Sequence, residues 1–223
     1  RIFSGMSVTG WLILINVIFY FVMFFLLISN EGFFEYIALK PSNILQGKYL
    51  WTFLTSMFMH APSVFPTHLI VNMIVLFSLG GFCEKIIGKK RFLWFYIISG
   101  LVAGIVFVLL AGFFGGGELG GKIFGSPEIA AVGASGAIFA IAGLFMILMP
   151  KLKFTIIFFP FFSLPAYIMI PLVLFGFWIL SVAGGWPIGN TAHFGGFLAG
   201  VVYGIYLRNK YSKKIQILNQ QIM

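Results

Sequence analysis

Residues 92–113 read FLWFYIISGLVAGIVFVLLAGF, uncharged throughout and preceded directly by Lys89, Lys90 and Arg91. A helix needs about 20 such residues, at roughly 1.5 Å each, to cross the hydrocarbon of a bilayer. The rest of the chain has the same character: 61% of its 223 residues are hydrophobic and only 9% are charged, against about a quarter in soluble domains. Working outward, similar runs fall at about 11–28, 67–82, 130–149, 164–182 and 191–207. Six spans are therefore expected, in one domain covering residues 1–223. The runs are continuous rather than alternating, which argues against a transmembrane β-barrel. The expected class is all-α, a polytopic membrane bundle of six helices.

The segments between the runs are equally informative. From Ser29 to Pro66 the chain is mixed, and its apolar stretch LWTFLTSMFMH is too short to span, so an interfacial position is expected. The segment from Phe154 to Val182 is interrupted by Pro160, Pro165 and Pro171. Its first part reads as interfacial and the fifth span as beginning near Leu164. The chain starts at Arg1 rather than Met, which reads as a trimmed or processed form, and no signal peptide separate from the first span is legible.

Charge orients the bundle. Eleven of the fourteen Lys and Arg residues lie at Arg1, in the Lys85–Arg91 segment, at Lys151 and Lys153, and in the tail from Arg208 to Lys214; only Lys40, Lys48 and Lys122 lie in the alternate loops. Basic loops stay cytoplasmic, so both termini are expected there, in a multi-pass protein of the cell membrane. The same rule accounts for the net charge of +9 without a nucleic-acid partner. Glu84, Lys85, Lys89, Lys90 and Arg91 read as cytoplasmic anchors. The single cysteine, Cys83, excludes an internal disulfide and reads as inert packing. The chain contains no aspartate, which disfavours any mechanism built on paired intramembrane carboxylates.

Polar residues then converge. Spans two, four and six enter the membrane from the same, outer side, and near their entry ends they carry His68 and Asn72, Ser135, and His193 respectively. At the helical rise all four fall within about the outer third of the hydrocarbon. Polar groups there are costly and face the bundle interior, so one shared site is the economical account. A serine needs a base within reach to become a nucleophile, and His193 can serve Ser135. Asn72 lies one turn after His68, so both donors point the same way toward a developing oxyanion. Phe139, one turn after Ser135, can set its ring against His193. Gly133 and Gly136 flank Ser135, and Gly196, Gly200 and Gly204 form a small-residue face for close helix packing.

Each feature alone has a blander reading. A membrane serine usually bonds back to its own helix, a membrane histidine or asparagine bridges helices, and glycine faces are common. His60, before the second span, reads as a residue ordering the first outer loop. It is the coincidence of all these groups at one depth that favours a site.

In combination the motifs resemble those of the rhomboid family of intramembrane serine proteases. GASGAIFA (133–140) resembles the family's GxSG segment and carries the nucleophile over to Ser135. AHFGGFLAG (192–200) resembles its AHxxGxxxG segment and carries the base to His193. HLIVNM (68–73) resembles its HxxxN segment and carries oxyanion support to His68 and Asn72. LGGFCEKIIGKKRFLWFYIISGLVAG (79–104) resembles the end of its second span and the start of its third. Three departures stand out: Trp51-Thr52 replaces the family's Trp-Arg, an insertion around APSVFP spreads His60 from His68, and Phe139 stands where tyrosine is frequent.

The resemblance implies six spans, cleavage of transmembrane helical substrates near their outer ends, and no metal or organic cofactor. The partners implied are transmembrane proteins and membrane lipid. The alternative is a catalytically silent relative that binds membrane helices. A transporter or channel is disfavoured by the absence of an internal repeat. Aspartyl chemistry lacks its aspartates, and no glutamate follows any of the three histidines as a zinc protease would require.

Overall fold

The computed structural model describes residues 5–62, 65–156, 159–185 and 188–222. Arg1, one of the eleven cations, and Ser63 and Val64, inside the loop insertion, lie outside them. The chain begins with α1 (Val8–Ser29), whose first turn is capped by the Ser7 side chain. Three short helices follow, α2 (Phe33–Ile37), α3 (Pro41–Leu45) and α4 (Thr52–Thr55). Then α5 (Thr67–Val75), a π-helical turn over Leu76–Gly80 and α6 (Gly81–Ile87) form one continuous rod. After it come α7 (Lys89–Phe114), the short α8 (Gly117–Phe124) and α9 (Ser135–Leu148). A hairpin of β1 (Lys153–Ile156) and β2 (Phe159–Pro165) leads into α10 (Ala166–Gly184), α11 (Asn190–Lys210) and α12 (Ser212–Ile222).

The protein is a helical membrane bundle. Four of these helices, namely α1, the Thr67–Ile87 rod, α7 and α10, are long and apolar enough to cross a membrane. Their outward faces carry large apolar side chains such as Phe25, Phe77, Ile105 and Ile179, the expected surface toward lipid. The other two expected spans are α9, which is interior, and α11, which packs on α7 and α9 with one face and exposes Leu198, Val202, Ile205 and Tyr206 on the other. α9 has no exposed residue along its length, as a helix that is apolar all round requires. α11 is less apolar because it gives four positions to glycine and one to His193.

α9 and α11 pack more extensively against each other than any other pair, and they do so backbone to backbone. A Cβ at Gly196 would be driven into the carbonyl oxygen of Gly136, and one at Gly200 into that of Ala140. Gly204 faces Ile147, where a Cβ would meet its side chain at 2.8 Å. The neighbouring Gly195 lets α7 approach in the same way, through Val106 at 2.6 Å.

Three details differ from the sequence reading. The fourth span is helical only from Ser135, not from Ala130, because Ala131 pairs in a bridge with Leu39 and the Gly133 N–H donates to the Ser56 carbonyl. The stretch before α10 is a β-hairpin, in register from Lys153–Pro165 to Thr155–Ser163; prolines at 160 and 165 prevent a helix there, and a two-stranded edge tolerates them. Pro171 sits inside α10 and removes one of its backbone hydrogen bonds.

The third difference is Glu84. Instead of standing among loop charges it is buried, and its carboxylate closes the start of α1: it accepts from the Val8 N–H at 3.0 Å, the Thr9 N–H at 2.8 Å and the Thr9 hydroxyl at 2.7 Å. An acid at a helix N-terminus satisfies orphan donors and the dipole together. Glu84→Ala should therefore destabilise the fold by roughly 2–4 kcal/mol, and Glu84→Gln by less. Thermal unfolding in detergent should show this as a midpoint several degrees lower.

The two ends of the bundle are distinct. At one, Glu84 meets Thr9, Arg91 meets Tyr211, and Asn219 of α12 donates to the Leu148 carbonyl. At the other, Lys40 pairs with Glu128 at 2.9 Å, and Thr191 donates to the Phe124 carbonyl. The α1–α5 connection belongs to this second end. There Trp51 donates to the Tyr36 carbonyl and Thr55 to that of Ile37, while Leu50, Trp51 and Leu54 are exposed. Short helices with exposed apolar side chains suit the interfacial position expected of this segment, and Trp51 ties it down without an adjacent arginine.

Candidate active site

The path into Ser135 starts with an extended segment held down by the α1–α5 connection through Leu39 and Ser56. Gly133 then turns the chain at φ +124°, in the region that side chains disfavour. A Cβ there would also stand 3.0 Å from Cε1 and Nε2 of His68. Helix α9 begins at Ser135, so the backbone N–H groups of Ser135 and its next neighbours have no partner within the helix. Gly133→Ala is expected to lower the unfolding midpoint by several degrees and to displace the His68 ring, at a cost of about 1–3 kcal/mol. Thermal unfolding of the purified variant measures it.

His193 sits in the first turn of α11, buried. The glycine contacts bring its helix against α9, and Nε2 of the ring lies 2.8 Å from the Ser135 hydroxyl oxygen. The Phe139 ring stacks on the imidazole, with centroids 4.5 Å apart and planes at 24°. Phe177 of α10 closes the pocket, 6.3 Å from both rings. No carboxylate orients the imidazole: His193 Nδ1 has no hydrogen-bond partner among the described residues. Packing against Phe139 does that work.

His68 and Asn72 are both in α5. The His68 ring lies over Gly133, beside Ser135. Asn72 is buried one turn further along and donates one amide hydrogen to the His68 carbonyl at 2.8 Å, leaving its second N–H. His60 packs edge-on against His68, with centroids 5.0 Å apart. Burial, with His68 alongside, pushes the His60 imidazole down to about 3, so it stays neutral and does not repel its neighbour.

The structure thus gathers Ser135, His193, His68, Asn72, Gly133 and Phe139 at one place, with Gly136 at the α9–α11 seam. Two side chains at this place lay outside the site expected from the sequence. The sequence reads His60 as ordering a loop, and its ring packs on that of His68. Phe177 is one of 29 phenylalanines, with no local signal to separate it from the rest. Among the described residues, no three of His, Cys, Asp and Glu are grouped to hold a metal.

Fold and site together define a class: a multi-pass helical membrane protein with a serine and a histidine in hydrogen-bond contact inside the bundle. Comparison with known proteins gives the family. The Rhomboid domain matches residues 47–210, and the chain belongs to the rhomboid family. It is 23% identical over 170 residues to the rhomboid protease GlpG of Haemophilus influenzae, a match covering 76% of each chain. It is 28% identical over 204 residues to the rhomboid protease GluP of Bacillus subtilis, over 86% of this chain and 35% of that one. It is 30% identical over 143 residues to the human mitochondrial presenilin-associated rhomboid-like protein, over 62% of this chain. The match spans about a third of that human protein's length, 34%.

Proposed function

We propose that this protein is an intramembrane serine endopeptidase that cleaves transmembrane helical substrates near their outer ends. The observation that carries the reading is the 2.8 Å contact between Ser135 Oγ and His193 Nε2 in a buried, largely apolar setting. For His193 to act as base, Nε2 must present its lone pair, so Nδ1 carries the ring proton.

In the first step the Ser135 oxygen bonds to the scissile carbonyl carbon as its proton passes to Nε2. The carbonyl oxygen becomes an oxyanion beside Asn72, the His68 ring and the free backbone N–H groups at the start of α9. The imidazolium then gives its proton to the leaving amine nitrogen as the C–N bond breaks, leaving an ester on Ser135. Water, losing a proton to Nε2, attacks the ester, and the proton returns to the serine oxygen as the acid departs.

The charge distribution supports an orientation. The side whose loops and tails hold eleven of the fourteen Lys and Arg residues of the sequence faces the cytoplasm, with both termini of the chain, and the site opens toward the opposite side of the cell membrane. Transmembrane proteins are the substrates, reaching the site from the surrounding lipid. The wall that yields is α10. It lacks a glycine seam with α9 and α11, carries Pro171, and is held to α8 by Trp178 donating to the Ile123 carbonyl at 2.9 Å.

A fluorophosphonate probe applied to the folded protein in detergent and in liposomes tests the reading. Wild type should label and Ser135→Ala should not. Absence of labelling in folded wild type, with several probes, would overturn the reading in favour of a silent helix-binding relative.

A further inference from the structure

On the lipid-facing side of the bundle, a groove of about 470 Å³ that Ser135 does not line runs between α7 and α11. That volume falls in the range of small-molecule sites. Its mouth is at the basic end, where Lys90 and Arg91 open α7. Its walls are Trp94, Phe95, Ile98 and Tyr203, and Ala199 supplies a small residue beside them. Trp94 and Ile98 are more than half exposed, whereas Phe95 is buried and stacks on Tyr203 at 4.9 Å. The groove is therefore apolar along its length apart from the buried Ser99, whose hydroxyl donates to the Tyr96 carbonyl, it is doubly cationic at one end, and no acidic residue lines it.

The surrounding electrostatics sharpen this. The start of a helix is its positive end, favoured by acids, yet the first turn of α7 holds Lys89, Lys90 and Arg91, no acid and no side-chain cap. Arg91 uses one N–H on the Tyr211 hydroxyl at 3.4 Å and lies 5.6 Å from that ring. It has four more donors to offer.

We infer that this groove is a binding site for an anionic phospholipid, with the phosphate between Lys90 and Arg91 and an acyl chain along Phe95, Ile98 and Tyr203. The charge complementarity selects the headgroup. A free anion would not need the apolar walls, and a purely apolar occupant would not need the cations. The aromatic rim, with Trp94 beside the headgroup position, suits the boundary between hydrocarbon and water.

Native mass spectrometry of the full chain, released from detergent and titrated with phosphatidylglycerol, tests the site. Wild type should retain phosphatidylglycerol adducts, and phosphatidylcholine of the same chains should bind at least several-fold more weakly. Glycerophosphoglycerol, the headgroup without chains, should not compete. Each cation near a membrane surface contributes roughly fivefold in affinity, so Lys90→Gln/Arg91→Gln should weaken phosphatidylglycerol binding about thirtyfold. Lys213→Gln/Lys214→Gln removes the same charge from α12 and should leave it within twofold. Ala199→Phe fills the groove without changing charge and should also weaken binding at least tenfold. Equal losses in the two charge variants, or full binding in Ala199→Phe, would overturn the assignment. So would a dimer series in place of lipid adducts, which would give the groove to a second copy of the chain.

Discussion

Gly200→Val is expected to abolish probe labelling and to lower the unfolding midpoint. At Gly200 the backbones of α9 and α11 touch, and a side chain would enter the space of the Ala140 carbonyl oxygen. Neither helix can bend away locally, because Gly196 against Gly136 and Gly204 against Ile147 hold the seam on either side. The helices must part, and His193 sits at the end of that seam. Overpacking costs about 1–3 kcal/mol where side chains can adjust; here the obstacle is backbone. A displacement of roughly 1 Å between reacting groups already costs about a hundredfold in rate, so labelling should fall by at least that factor. Gly176→Val is the matched control. A Cβ at Gly176 on α10 meets nothing within 4 Å, so that variant should label and melt like wild type. If Gly200→Val labels at the wild-type rate, the close seam does not set the serine–histidine distance.

His193→Ala should reduce cleavage of a transmembrane peptide by roughly 10⁴-fold or more, the scale on which a serine enzyme suffers when it loses its base. The proposed chemistry requires the loss to lie in turnover rather than in substrate binding, because the imidazole acts on the proton in flight. Phe139→Ala separates the base from its support. It leaves the ring present but unstacked, and a loss of about 10–100-fold is expected, recovered by Phe139→Tyr, which restores the ring. Cleavage measured against acidification adds an independent reading. The rate should fall as Nε2 takes up a proton, since a protonated imidazole cannot accept the serine proton. Full cleavage by His193→Ala would remove His193 from the mechanism.

Much of this was legible in the sequence because the bilayer is a simple solvent. Continuous apolar runs mark the long helices. The rule that polar groups avoid lipid brought Ser135, His193, His68 and Asn72 together before any coordinates. The glycine spacing at 196, 200 and 204 predicted a close face, and α9 supplies it. What escaped was set by partners distant in the chain. Glu84 looks like one more loop charge until Val8 and Thr9 arrive from 76 and 75 residues away. The start of α9 depends on Leu39 pairing with Ala131, a contact that no local pattern in GSPEIAAVGASG announces. The hairpin before α10 is an apolar run with prolines, and periodicity alone does not separate an edge strand from interfacial coil. Phe177 joins the His193 pocket only through the placement of α10.

The burial of α9 has a consequence for the membranes in which the protein can work. With 14 residues the helix is about 21 Å long, well short of a hydrocarbon core of roughly 30 Å. A lipid-facing helix of that length would pull the bilayer thin around it. α9 exposes no residue, so the mismatch is never felt: α1, α7 and α10 meet the lipid, and α9 hangs between its neighbours at a depth they dictate. When acyl chains lengthen or sterols thicken the bilayer, the peripheral helices can tilt to follow. Ser135 and His193, carried on helices whose backbones touch at Gly136–Gly196 and Ala140–Gly200, keep their spacing while the surroundings adjust.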